Sequence, residues 1–273
     1  MTVDVEIICV GNELLIGKIK DTNAHYLAKQ STQLGANVKR VTVIQDTIEE
    51  IANTVNEAIA RKPQFIITTG GLGPTFDDKT LQGIAKALNR RLEVNPKAFE
   101  IVKQKIVEYS KKRGLQTEIE MTSPRVKMAT FPEKTMVVNN PVGTAPGMRV
   151  EVQGTVLFAL PGVPLEMESI FCETITPLLK QAVGSGVFCE RSLFVDKIFE
   201  SHLAPLIDKV MSDNEGVYVK SHPIRTQNKP YVELHLTIVA SKEQKPAEKL
   251  VKAANQLAVL IEENGGSIES HSR

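Results

Sequence analysis

The sequence has no tryptophan, and only 5% of its 273 residues are aromatic. Its interior must therefore be mainly aliphatic. With 42% hydrophobic residues the chain can fill one large core or two smaller ones, and its length favours two domains. It also lacks a dominant charge: 33 Lys and Arg stand against 32 Asp and Glu, a formal net charge of +1. No overall field marks it for nucleic acid or a membrane surface. The opening MTVDVEIICVG has no basic segment ahead of a long apolar stretch, and the run 156-VLFALPGVPL-165 is broken by prolines and too short to span a bilayer. A cytoplasmic protein without a membrane partner is expected. Cys9, Cys172 and Cys189 are odd in number, far apart and without C-x-x-C spacing. Neither a disulfide framework nor a cysteine zinc site is indicated, and each is expected to be a small buried hydrophobe.

What is present is a repeated alternation of apolar runs and helical patterns. The near-continuous run 5-VEIICV-10 has strand length and suits a parallel strand covered on both faces. A helix follows, with Asp21 placed to cap it, Ala24, Leu27, Ala28, Ser31 and Leu34 on one face, and Gly35 at a left-handed C-terminal cap. The strand 37-NVKRVTVI-44, a helix from about Thr47 stopped by Pro63, and the strand 64-QFIITT-69 complete β-α-β-α-β. Helices are expected over 77–89, from Pro96, and over 163–182, with a hairpin turning at Gly154. The stretch 183-VGSGVF-188 is the expected boundary between domains 1–184 and 187–273. Beyond it, 231-YVELHLTIV-239 alternates as a half-exposed antiparallel strand, and the following helix carries Ala247, Leu250, Val251, Ala254, Leu257, Ala258 and Ile261 on one stripe. The expected architecture is α/β, a doubly wound, three-layer, mostly parallel sheet, with a second, smaller α+β domain.

The chemistry concentrates at 68-TTGGLGPTFDDKT-80, between a strand and a helix. It is neither a Walker A loop nor G-x-G-x-x-G. Gly70, Gly71 and Gly73 allow backbone to approach a ligand closely, and Thr75 offers a hydroxyl and an N–H to phosphate oxygens. Asp77 and Asp78 would repel a phosphate unless a divalent cation bridges them. A structural account competes, because Thr75-x-x-Asp78 also fits a capping box. Three further loops lean toward a site: 11-GNELLIGKIKDTN-23, 140-NPVGTAPG-147 and 160-LPGVPLEM-167. Loops at the carboxyl ends of strands in a doubly wound sheet converge on one crevice.

These four motifs, in this order, closely resemble the CinA family, whose main domain shares the molybdopterin-binding fold of molybdenum cofactor biosynthesis proteins. The likeness covers about 1–182. The segment 198-IFESHLAPLIDKV-210 with 231-YVELHLTIV-239 is similar to the family's second domain, described as KH-like, over about 187–266. Longer members continue into a nicotinamide-nucleotide amidohydrolase domain, whereas this sequence stops at Arg273, so deamidation is not expected. The resemblance implies metal-dependent hydrolysis of a nucleotide pyrophosphate, ADP-ribose above all, to AMP and ribose 5-phosphate. It also implies a homodimer or higher homo-oligomer. From the wider fold it implies the rival reading of molybdopterin binding or adenylylation. A third reading, a non-enzymatic nucleotide- or RNA-binding module, is disfavoured because 187–273 holds no G-x-x-G loop.

In the leading reading, Asp78 with Asp77 or Asp46 is catalytic, and Asp78, Asp46 and Glu13 hold Mg²⁺, Mn²⁺ or Co²⁺, with K⁺ as a further ion. All-oxygen acidic ligands suit such hard cations. Gly70, Gly71, Leu72, Gly73, Pro74 and Thr75, with Asn140, Gly143, Thr144 and Ala145, cradle nucleotide and phosphate, and Pro161, Gly162, Val163 and Glu166 complete the set. Each has a bland alternative: Asp46 as helix N-cap, Asp21 as cap, Glu13 as turn acid, Glu166 as a dipole-favoured acid, and Asn140 and Thr144 as turn formers. The histidines His25, His202, His222 and His235 have no metal-ligand spacing, and no Ser or Thr has an evident His-Asp partnership.

Overall fold

The computed structural model describes residues 3–114, 120–224 and 231–269. The end of the expected second domain, 270–273, and the stretch 225–230 inside it lie outside the described residues. The chain divides into two compact units, Met1–Thr32 with Ala36–Val183, and Gln33–Gly35 with Gly184–Arg273.

The first unit begins with β1 (Asp4–Val10), the short α1 (Asn12–Leu15), α2 (Thr22–Gln33), β2 (Asn37–Ile44), α3 (Ile48–Ala60) and β3 (Phe65–Thr69). It continues through α4 (Thr80–Ala87), β4 (Leu92–Val94), α5 (Pro96–Lys112), α6 (Ser123–Lys127), β5 (Thr130–Pro132) and β6 (Met136–Val138). The hairpin β7 (Gly147–Val152) and β8 (Thr155–Leu160) leads to α7 (Pro164–Ile170) and α8 (Thr176–Val183). The main sheet has the order β2-β1-β3-β8-β7-β6. Its pairs β1–β2, β1–β3 and β3–β8 are parallel, while β7 and β6 join antiparallel. This is the expected mostly parallel, doubly wound α/β sheet.

The apolar runs explain the layering. Ile8, Val10, Ile66 and Leu157 pack with Ile51, Val55, Ile84 and Val102 from α3, α4 and α5 in one core. Ile7, Ile67 and Phe158 alternate to the other face and are equally buried, so both faces are covered. Among the described residues the one buried charged intruder, Glu6, takes a bidentate pair from Arg61 Nε and Nη2 at 2.8 and 2.7 Å. The hairpin turns as expected, with Gln153 and Gly154 both at positive φ, the two-residue turn that suits twisted strands.

Several expectations shift. The helix expected over 77–89 starts only at Thr80, so Asp77 and Asp78 precede it rather than cap its first turn. The 163–182 helix is interrupted by a π-helical turn at Phe171–Ile175. The three-residue strands β4, β5 and β6 were not foreseen, since three residues are too few to display a period.

The second unit contains β9 (Gly186–Asp196), α9 (Glu200–Asp213), β10 (Val217–Ile224), β11 (Tyr231–Ser241), α10 (Pro246–Glu263) and β12 (Ser267–Glu269). Its antiparallel sheet has the order β10-β11-β9-β12, the ferredoxin-like β-α-β-β-α-β arrangement. Leu234, Leu236 and Ile238 of β11 are buried with Leu203, Ile207, Leu250 and Leu257, while Glu233, His235 and Thr237 remain only partly covered. The buried stripe of α10 is rotated from the expected one: Ala253 is inside, whereas Val251 and Ala247 are exposed. Among the described residues no helix is long and apolar enough to cross a membrane.

Candidate functional site

The strands β1, β2, β3, β8 and β6 run the same way, so the segments after them all leave the sheet at one edge. There they enclose a cleft of ≈ 470 Å³. Glu13, Asp46, Asp77 and Asp78 line it, as do 70–75, Thr144, Ala145, Pro161, Gly162, Val163 and Glu166. Thus the four loops separated in sequence meet.

The glycine loop has its shape for identifiable reasons. Gly70 has φ 103°, and a Cβ there would strike the Val10 carbonyl; Gly71 has φ 67°. Only glycine takes both positions without strain. Gly162 sits against the Gly70 backbone, where a Cβ would come within 3.3 Å of its Cα. Thr80 Oγ1 donates to the Gly70 carbonyl at 2.7 Å, Gly70 N–H donates to Leu160 O at 3.0 Å, and Thr69 Oγ1 donates to Pro161 O at 2.9 Å. The floor of the cleft is therefore tied to β3, β8 and α4 before any ligand arrives.

The acids divide between the two accounts weighed for them. Asp78 Oδ2 accepts from the Thr75 N–H at 2.7 Å and from its hydroxyl at 2.6 Å, and Thr75 Oγ1 also donates to Asp77. Thr75 is thereby a turn former whose donors are already engaged, which corrects its expected role as a phosphate donor. The Thr75 hydroxyl holds Asp77 below the usual carboxylate range. Asp46 is not the N-cap of α3; Thr47 is, accepting from Glu50 N–H at 3.3 Å. Asp46 instead accepts from Asn12 N–H at 2.7 Å. Burial raises its carboxyl, the Asn12 bond opposes that, and Glu13, Asp77 and Asp78 add like charge that raises it further. Asp21 is both: its Oδ1 caps Ala24 N–H at 2.8 Å, and it lines the cleft.

Asn140 and Gly143 are not brought to the lining. Asn140 is fully buried, donates to Ala145 O and Glu166 Oε2, and accepts from Val142 and Gly143 N–H. All four of its hydrogen-bonding positions are used, so it shapes the loop and holds Glu166 rather than a ligand. Gly143 packs on the Glu166 carboxylate, leaving no room for a side chain.

Asn23, Thr69 and Lys127 are among the participants missed as site residues. Asn23 and Thr69 line the cleft. Lys127 donates from Nζ to the Thr75 carbonyl; burial lowers its pKa, against the pull of Asp78 and Asp77. Asn23 could have been drawn from the first motif, in which it stands beside Asp21. Lys127 lies in a segment without periodicity or motif spacing, so no signal marked it.

Among the described residues no three His, Cys, Asp or Glu side chains group to hold a metal by themselves. Mg²⁺ seldom needs such a cage, since it usually takes one or two carboxylates together with ligand phosphates. The cleft acids fit a cation that arrives with phosphate and do not fit a protein-only site.

The family described as "Probable molybdopterin binding domain" matches residues 6–181, a span that contains every residue lining the cleft. The chain belongs to this family. Over nearly its whole length it is also similar to proteins of two archaea. One from Aeropyrum pernix is 43% identical over 263 residues, covering 96% of this chain and 95% of its own. One from Sulfurisphaera tokodaii is 40% identical over 264 residues, covering 96% and 97%. Among solved structures, the CinA protein of unknown function from Thermoplasma acidophilum is 34% identical with a TM-score of 0.57, and the match covers 65% of this chain and 98% of that one. The molybdopterin-binding family thus accounts for the first unit, and the CinA resemblance has a structural counterpart.

Proposed function

We propose that the first unit binds a molybdopterin-type pterin phosphate in this cleft and, with a nucleotide, carries out adenylyl transfer on it. One observation carries this reading: the family match spans the whole first sheet and every loop that forms the cleft. It favours the molybdopterin reading over ADP-ribose hydrolysis, which led at the level of sequence. The glycine backbone at 70–73 offers a close approach to phosphate, and Lys127 braces the Thr75 turn that carries Asp77 and Asp78. Asp46 and Asp78, with Glu13, would hold Mg²⁺, Mn²⁺ or Co²⁺ beside the phosphates. Such an ion, when bound, neutralises phosphate charge as a Lewis acid.

Purified protein given molybdopterin, ATP and Mg²⁺ should accumulate adenylylated pterin and release one pyrophosphate for each adenylyl group transferred. Asp78→Asn should lower that rate by roughly 100-fold while changing stability by no more than about 1 kcal/mol, since the amide oxygen can still accept from Thr75. The second reading is metal-dependent release of AMP from ADP-ribose, favoured by the likeness to the Thermoplasma CinA structure. AMP from ADP-ribose, with no adenylylated pterin from ATP, would replace the first reading with the second.

A further inference from the structure

The cleft has a second chemical character away from its phosphate-suited backbone. Asn23 lines it yet is only 8% exposed. Its Nδ2 donates to Thr69 Oγ1 and to Gly162 O, both at 2.9 Å. These bonds fix the amide, because turning it over would set Oδ1 against the Gly162 carbonyl oxygen. Asn23 Oδ1 is left buried without a donor, a costly arrangement in a folded protein and one that calls for an explanation.

Two residues earlier the pattern repeats. Asp21 uses Oδ1 to cap Ala24, whereas Oδ2 is buried without a nitrogen or oxygen donor. Beside this carboxylate lies the Cys9 thiol, a weak donor whose own pKa is raised by burial and by Asp21. Two residues of the cleft wall thus each hold a buried acceptor without an N–H or O–H partner, one of them charged. Both repel phosphate oxygens, and both are satisfied by N–H groups.

We propose that Asp21 and Asn23 read paired N–H donors on the ring of the bound ligand, the amino-oxo pyrimidine edge common to pterins and guanine, and select it over adenine. This rests on the reading of the cleft as a site for a phosphorylated ring compound. Such an edge offers an amino group next to a ring N–H, so it supplies two donors side by side. Adenine offers one donor beside a ring-nitrogen acceptor, which would face Asp21 or Asn23 unpaired. The ligand therefore lies with its ring against the start of α2 and its phosphate at the glycine loop.

Binding of GMP, IMP and AMP to the intact protein with Mg²⁺, measured by calorimetry, tests this without any substitution. IMP differs from GMP only in lacking the 2-amino group. GMP should bind roughly tenfold more tightly than IMP, and AMP no more tightly than IMP. Asp21→Asn should bring the GMP-to-IMP ratio close to one and leave inorganic pyrophosphate binding unchanged, with a melting curve to check folding; if that variant does not fold, the wild-type panel decides alone. Equal affinity for the three nucleotides, with pyrophosphate still displacing them, would overturn the inference and keep the phosphate site. A GMP preference that survives both Asp21→Asn and Asn23→Ser would overturn it as well. No binding of any nucleotide or of pyrophosphate would overturn both this inference and the function on which it rests.

Discussion

The two units solve the same problem, burying a sheet, in opposite ways, and the first gathers loops from across its sequence into one cleft. In the first, parallel strands are covered on both faces, so the sheet can meet a ligand only at the ends of its strands, where the connecting loops gather. In the second, an antiparallel sheet buries Leu234, Leu236 and Ile238 on one side and leaves Glu233, His235 and Thr237 partly covered on the other. The first arrangement brings residues as distant in sequence as Glu13, Asp78 and Glu166 to one cleft. The second sets its polar groups out along the strands, where His235 pairs with Glu190 at 3.0 Å across neighbouring strands. Topology, more than composition, decides where loops distant in sequence gather into the candidate site.

The comparison breaks most sharply at Gly70. Gly70→Ala should destabilise the first unit by roughly 3 kcal/mol or more, because positive φ and contact with the Val10 carbonyl combine. Urea denaturation would measure it, and ligand binding should vanish with it. Leu236→Ala should cost about 3 kcal/mol through the cavity left in the second core, yet leave ligand binding in the first unit within about twofold, since Leu236 shares no packing partner with the cleft. A large loss of binding would end the separation of the two units. Arg61→Ala should cost about 2–3 kcal/mol, because it strands the buried Glu6 carboxylate; this pair sits near the start of β1, away from the cleft, so affinity should not move.

The smallest effect sharpens the electrostatics. A raised Asp46 pKa means that the folded protein holds this proton more tightly than the unfolded chain, so stability from this group falls as pH rises from the ordinary aspartate range through the raised value. Above the raised value the penalty is fully present. Asp46→Asn should therefore raise the melting temperature slightly at pH 7 without metal, and the gain should disappear as pH drops below the ordinary aspartate value of about 3.9. A gain that persists in acid would mean that the benefit does not come from relieved charge.

Much of this was legible in the residues themselves. Near-continuous apolar runs marked β1 and β3 as strands covered on both faces, and strict alternation marked β11 as half-exposed. Proline and glycine punctuation placed the hairpin turn at Gly154. The four loops were separable because glycine, proline and acid clustered after apolar runs. Other roles were beyond one-dimensional pattern, because their partners lie far along the chain. Asp46 looked like a helix cap, and its partner proved to be Asn12, 34 residues earlier. Asn140 looked like a ligand donor, yet its donors are held by Ala145 and by Glu166, 26 residues on.

The sequence by itself determined the types of the longer elements, the parallel and antiparallel character of the two sheets, and the loops rich in glycine and acid, because side-chain period and backbone permissiveness are local properties. Only the tertiary structure decided which side chains keep unused hydrogen-bonding capacity. Thr75 and Asn140 lost theirs to neighbours, whereas Asn23 and Asp21 each retain a buried acceptor at the cleft wall. The reason is physical: a polar group binds a ligand only with the valence its own fold leaves open, and that remainder depends on contacts between segments that the order of residues does not place side by side.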